Sequence, residues 1–189
     1  MNAEEIFGAS FATLLAENRA VLEHVDPAVL AEVLLLLKDA PRVFVLGSGR
    51  SRLVMQMFAI RLMHLGLTAY VVGETTTPAL QADDLLFVCS ASGETATIVL
   101  LAEKAVQLGA KSVAITANPA SRLGKLAHRV IWLPTPTKAE TSAAVASVQY
   151  AGSLFEQSAL LLCDSLVLAA MQSWGVDRAA LAVRHANLE

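Results

Sequence analysis

Two short segments rich in hydroxyls and glycine carry the residue types that hold an anion. One is Ser90-Ala91-Ser92-Gly93-Glu94-Thr95, between the apolar run Leu85-Leu86-Phe87-Val88-Cys89 and a helical pattern over Ala96 to Leu108. The other is Gly47-Ser48-Gly49-Arg50-Ser51, between Arg42-Val43-Phe44-Val45-Leu46 and a helical pattern over about Arg50 to Leu65. Where a strand hands over to a helix, backbone N–H groups lack intrahelical partners and the helix dipole is positive, so a phosphate is well placed. Ser48, Ser90, Ser92 and Thr95 offer hydroxyls to such an anion, helped by the amides of Gly93 and Glu94. Ser92 and Thr95 would serve equally as helix caps, which use the same exposed N–H groups. Gly47 and Gly49 either let the backbone approach a ligand or make a tight turn. Arg50 supplies positive charge to a sugar or phosphate, or else a surface or interface ion pair. Glu94 reads as turned away, or as an acid favoured by the dipole at a helix start.

Other residues have the chemistry to move protons. Glu156 sits in a very apolar helical stretch, beside Leu154 and Phe155 and before Leu160-Leu161-Leu162. Burial there would raise its pKa toward neutrality and suit it to proton abstraction. The alternative is a structural Glu paired with Arg or Lys at a subunit contact. Asp164 lies eight residues on; a helical offset of about 80° points it elsewhere, and it reads as a buried structural acid. His185 titrates near neutral pH and suits a proton shuttle at substrate oxygens. It sits at the very end of the sequence, so it either reaches a neighbouring subunit's site or belongs to a frayed tail. His64, late in an apolar helix, reads as packed rather than catalytic. The run Glu74 to Thr77, with Thr76 in its middle, either hydrogen-bonds sugar hydroxyls or forms an ordinary turn. Met55, Met57 and Met63 fit core or interface packing.

The elements that must position these groups alternate. Helices are predicted over Glu5 to Leu22 and Pro27 to Lys38, the second behind an Asp26 cap with proline at its first position. Strands follow at Arg42 to Leu46, Thr68 to Val72, Leu85 to Cys89, Ser112 to Thr116 and Val130 to Leu133. Between them come the helices named above and a short one near Ser121 to Leu126. A long helix is predicted from roughly Val148 to Trp174, and a short one begins near Asp177. Strands alternating with helices imply parallel pairing and right-handed crossovers. The fold class is therefore three-layer α/β, a five-stranded parallel sheet of flavodoxin-like order 2-1-3-4-5. Its switch point falls between strands 1 and 3, the two strands that carry the glycine/serine loops. Residues 1–189 read as a single domain: a helical pair over 1–40, a parallel core over 41–134 and helices over 147–189. The loop Pro134 to Ala146 is long enough for a lid or a subunit contact.

Composition narrows the class. The chain is 55% apolar and 16% charged, below the usual charged share, which fits an oligomer burying helix faces between subunits. No uncharged apolar run reaches the roughly 18 residues of a membrane span, and no membrane partner is expected. A net charge of −3 without a basic cluster argues against nucleic acid. Cys89 and Cys163 read as buried free thiols in a reducing cytoplasm. Gly47-Ser48-Gly49-Arg50-Ser51-Arg52 starts like a dinucleotide fingerprint, with Glu74 where a ribose-binding acid would stand. Arg52 occupies the third glycine position, which weakens that reading. There is no Gly-Lys-Ser/Thr loop, and the four histidines are scattered without metal-ligand spacing.

Gly-Ser-Gly-Arg-Ser and Ser-Ala-Ser-Gly-Glu-Thr, placed after strands 1 and 3, resemble the loops of sugar isomerase (SIS) domains. Further motifs are similar to those of the 6-phospho-3-hexuloisomerase family: Arg61-Leu62-Met63-His64-Leu65-Gly66, Val72-Gly73-Glu74-Thr75-Thr76-Thr77-Pro78, Gly152-Ser153-Leu154-Phe155-Glu156-Gln157 and Arg184-His185-Ala186-Asn187-Leu188-Glu189. Ala91 departs from the glycine expected there, a change that would tighten the loop. The resemblance implies an intramolecular oxidoreductase that converts D-arabino-3-hexulose 6-phosphate to fructose 6-phosphate, in the ribulose monophosphate route of formaldehyde fixation. It implies a cytoplasmic homotetramer (or dimer) needing no metal or organic cofactor, and it favours Glu156 and His185 as catalytic residues. Two other readings stay open: a non-catalytic sugar-phosphate sensor on the same fold, and an isomerase of another phosphosugar. Sensors of that kind usually carry a basic DNA-binding helical module, and the N-terminal helices here are acidic and apolar.

Overall fold

The computed structural model describes residues 2–137 and 144–188. The chain runs α1 (Ala3–Leu22), α2 (Pro27–Asp39), β1 (Val43–Gly47), α3 (Arg50–Leu65), β2 (Ala69–Val71), β3 (Leu85–Cys89), α4 (Ala96–Gln107), β4 (Lys111–Thr116), α5 (Arg122–Leu126), β5 (Arg129–Trp132), α6 (Ser153–Trp174) and α7 (Arg178–Val183). All strand pairings are parallel, in the order β2-β1-β3-β4-β5. Strands β1 and β3 are buried along their whole length, as continuous apolar runs covered on both faces must be.

The pleat divides the core. Val43, Val45, Leu85, Phe87 and Cys89 face α1, α2, α3 and α6, while Phe44, Leu46, Leu86 and Val88 face α4 and α5. At the other end of the strands Arg42 clamps the buried Asp84, with Nε to Oδ1 at 2.8 Å and Nη2 to Oδ2 at 2.6 Å. That fork ties the residue before β1 to the residue before β3, the two strands that feed the glycine/serine loops.

Most predicted boundaries lie within two residues of the observed ones; α6 differs more. It starts at Ser153 rather than near Val148. Ala151 takes a left-handed conformation (φ 53°), which ends any helical path, and Glu17 of α1 captures the backbone and side chains of residues 147–149. Asp164 is a second correction: it is exposed, because Leu162, Cys163, Leu166 and Val167 take the inward face of α6. By length and composition α6 could cross a membrane. Here its buried side, including Phe155, Ala159 and Leu162, forms the middle of the core. Part of the loop Pro134 to Ala146 lies outside the described residues.

Candidate active site

The register of the sheet decides where the loops go. Gly47 pairs with Cys89 at the ends of β1 and β3, so Ser48 and Ser90 leave the sheet side by side at the switch point. Gly47 is required for a packing reason: a Cβ there would lie 2.8 Å from the backbone of Ser51 and 2.9 Å from that of Arg52. Gly93 is required twice over. Its φ is +64°, and a Cβ would come within 2.0 Å of the Ser121 hydroxyl. Ala91 anchors the second loop, its carbonyl accepting from the Ala117 amide (3.0 Å) and the Thr116 hydroxyl (3.1 Å).

A cavity of about 470 Å³ opens between these loops and the start of α6. That size suits a small ligand. Ser48, Ser51, Ser90, Ser92, Glu94, Thr95 and Glu156 line it, together with Cys89, Ala91, Thr137 and Gly152. Three helices begin at its wall, and none is capped by a side chain: α3 behind Gly49, α4 behind Thr95 and α6 behind Gly152. The other four helices are capped, by Asn2, Asp26, Ser121 and Asp177. Convergent, uncapped N-termini leave positive dipole ends and N–H groups directed at one place, the arrangement an anion needs.

Glu156 occupies the first turn of α6. Its side chain keeps 17% exposure and forms an ion pair with Arg50, the first residue of α3. Its Oε2 is buried and accepts no aligned hydrogen bond among the described residues. The apolar surroundings expected from Leu154 and Phe155 are real, but those two side chains point into the core while the carboxylate looks at a guanidinium.

Two loop residues behave differently from expectation. Glu94 is neither idle nor a cap for its own helix. Its carboxylate accepts the Arg122 amide at 2.8 Å and so caps α5. The amides of Gly93 and Glu94 bond inside the turn, to the Ser90 carbonyl and the Ser92 hydroxyl, both at 3.2 Å. Thr95, by contrast, makes no cap bond with its hydroxyl.

Cys89 lies at the floor and is fully buried. Burial pushes its thiol up to about 12, against a lowering hydrogen bond with Ser51, so it is an inert wall rather than a nucleophile. Cys163 is also a buried free thiol.

His185 and Thr76 are not brought to this cavity within one chain. Thr76 is exposed, and its neighbours have other duties: Glu74 accepts from Gln56 and Thr77 bonds the Val71 carbonyl. His185 stacks on His64 with ring centroids 5.2 Å apart and Nδ1 to Nε2 at 3.3 Å. His64 is buried at the C-terminal end of α3, some 20 Å along that helix from Arg50 at a rise of about 1.5 Å per residue. Burial, and then the charges of His185 and Arg61, hold His64 below its ordinary value of 6.5. The two histidines form a cleft with Arg61 and Arg178.

Sequence reasoning missed Ser51, Gly152 and Glu17. The first two lay inside recognised motifs, and Gly152-Ser153 ahead of an apolar run is the legible mark of a helix started without a cap. Nothing local marks Glu17, whose partners lie 130 to 132 residues away.

Comparison with known proteins agrees with this geometry. The SIS domain family model matches residues 36–161. A 3-hexulose-6-phosphate isomerase of Mycobacterium gastri is 45% identical over 165 residues, covering 87% of this chain and 82% of its own. One of Bacillus subtilis is 38% identical over 175 residues, with 93% of each chain covered. A Methanococcus jannaschii structure, said to infer a molecular function of 3-hexulose-6-phosphate isomerase, superposes with a TM-score of 0.84 at 29% identity. That superposition covers 96% of this chain and 99% of the other. With loops, sheet order and relatives in agreement, the chain belongs to the SIS domain family and, within it, to the family of the 3-hexulose-6-phosphate isomerases.

Proposed function

We propose that this chain is a 6-phospho-3-hexuloisomerase, converting D-arabino-3-hexulose 6-phosphate to fructose 6-phosphate through an enediol(ate). The observation that carries the reading is the hydroxyl-lined cavity where the ends of β1 and β3 meet three uncapped helices, with the Glu156 carboxylate, ion-paired with Arg50, at its wall. Ser48, Ser90, Ser92 and Thr95 hold the phosphate, with Gly47, Gly49 and Gly93 shaping the loops and Glu94 bracing them. Glu156 removes the proton from C2. The C2–C3 double bond forms as the C3 oxygen takes up charge or a proton, and Arg50 offers that oxygen a cation. A proton then returns to C3, the C2 hydroxyl gives up its own, and the carbonyl is left at C2. No atom is gained or lost.

His185 moves the proton between the two oxygens, from a second copy of the chain. The exposed residues Leu53, Met57 and Ile60 form an apolar stripe on α3, and Met57 stands midway between Arg50 and His64. Pairing two α3 helices antiparallel about Met57 sets the His64–His185 end of one chain against the Arg50–Glu156 end of the other, as a two-fold interface requires. A second apolar face, Ile6, Phe7, Phe11 and Leu15 on α1, supplies the further contact of a homotetramer. The free thiols and a phosphorylated substrate fit a cytoplasmic enzyme of the ribulose monophosphate route. Thr76 remains a candidate for the sugar hydroxyls only if a partner or the ligand draws it in.

The test is direct. Enzymatically made 3-hexulose 6-phosphate is supplied, and fructose 6-phosphate is followed. Product formation is expected; binding of fructose 6-phosphate without any turnover would make the chain a sensor instead.

A further inference from the structure

We infer that Glu17, on the N-terminal helix, is a positioning residue for the isomerase reaction, because it fixes the strap that delivers Glu156 to the cavity. The inference rests on the function proposed above. The Glu17 carboxylate receives three donors from one short stretch: the Val148 amide on Oε1 at 2.9 Å, and the Ser147 hydroxyl and Gln149 Nε2 on Oε2 at 2.7 and 2.8 Å. The Ser147 hydroxyl is in turn bonded by the Gln149 amide at 3.0 Å. No cation takes part in these contacts. A carboxylate that takes three neutral donors across both oxygens is held in orientation as well as place, since three of its about four lone-pair sites have their own partner.

The next residue along α1 holds the other side. Asn18 donates to Gln157 at 2.8 Å and accepts from Ser158 at 2.9 Å. Glu17 and Asn18 therefore grip residues 147–149 and 157–158, and between the two grips lie Gly152 and Glu156, both at the cavity wall. The strap cannot hold itself there. It has no regular structure, it passes through the left-handed Ala151, and α6 starts behind Gly152 without a cap. Where Glu156 stands relative to the phosphate-binding loops is thus set from α1. Burial pushes the Glu17 carboxyl up, and the bonds from Val148, Gln149 and Ser147 outweigh it and hold the group below its usual range. The grip is therefore in place at neutral pH.

The test is steady-state kinetics on Glu17→Gln, which keeps size but turns one acceptor into a donor facing other donors. kcat is expected to fall on the order of 10- to 100-fold, the cost of a small misplacement of a reacting group. KM for the phosphorylated substrate should change little, because the serine loops are not held by Glu17. In a Glu156→Gln background the same substitution should lower the residual rate no further; a general loss of folded enzyme would lower it in both. Should Glu17→Gln fail to fold, the Ser147→Ala, Gln149→Ala pair removes two of the three donors from the strap side and carries the same expectation. An active wild type with an unchanged kcat in these variants overturns the inference alone. A wild type that does not turn over 3-hexulose 6-phosphate overturns the proposed function, and this inference with it.

Discussion

Arg50 and His64 stand at opposite ends of α3, and each holds one of the two groups assigned to proton transfer: Arg50 pairs with Glu156, and His64 stacks on His185. One chain keeps those groups a helix length apart. Mixing therefore becomes a test. Glu156→Gln and His185→Ala should each be nearly inactive alone, and co-refolded mixtures should regain a fraction of wild-type turnover from sites built of one intact half from each. Mixtures as inactive as the parents would place His185 outside the reaction.

Removing the proposed base should show in kcat. Glu156→Gln keeps the shape of the cavity wall and loses the proton acceptor, so kcat should drop by about 10²- to 10⁴-fold, the range for a general base. Affinity for fructose 6-phosphate, measured by calorimetry, should stay within a few-fold, because the proposed phosphate site is built from the loops. Parallel loss of binding and turnover would assign Glu156 to substrate holding.

Gly93→Ala tests the second loop. The added Cβ meets Ser121 at 2.0 Å from a backbone with φ +64°, and the left-handed conformation alone costs about 1–2 kcal/mol in a non-glycine residue. Urea titration should show a loss of at least that size, and KM should rise because the Ser92 and Thr95 hydroxyls shift. Wild-type stability would mean that the loop relaxes freely.

The docking of α7 should depend on pH. His64 binds a proton less readily folded than unfolded, so its contribution to stability is complete above about 6.5 and declines as pH falls through that value. Arg184, which donates to the His64 carbonyl, and Arg61 beside the ring are positive, and His185 stacks on the ring. Protection factors in α7, taken against the intrinsic exchange rate at each pH, should fall between pH 7.5 and pH 5.5 (about one unit on either side of 6.5) while those in β1 and β3 hold. Uniform protection across that range would refute it.

Arg42→Ala tests the clamp beneath the sheet. It leaves the Asp84 carboxylate, whose side chain is 1% exposed, with the Gln81 amide but without its cation, and removing one partner of a buried pair costs on the order of 3 kcal/mol. Thermal melts should show it. Arg42→Ala with Asp84→Asn should recover part of the loss, since the remaining group is neutral.

The sheet order and the meeting of two loops could be read from the chain because both are local. Apolar runs of strand length, two of them ending in loops rich in glycine and serine, alternate with helical periods, and a parallel alternation admits few topologies. The serines are legible as candidates from their place between strand and helix, and Glu156 from the apolar helix and the motif around it. Their partners are not. The ion pair with Arg50 joins two helices a hundred residues apart, and the capping of α5 by Glu94 depends on how two loops cross, neither of which leaves a periodic trace. Asp164 was misread as buried because the apolar run around it is continuous, which hides which face of α6 looks inward. Glu17 was silent for the plainest reason: an acid on a largely exposed helix looks the same in sequence whether or not it holds something.

The three helices that start bare at the cavity have a cost elsewhere. A capping side chain contributes about 1 kcal/mol, so this fold forgoes a few kcal/mol at the cavity proposed as its active site. Whatever anion settles there completes the unfinished ends, and the enzyme should melt later in its presence. Substrate would then act as part of the scaffold, and a cell depleted of it would hold a looser, more easily degraded protein.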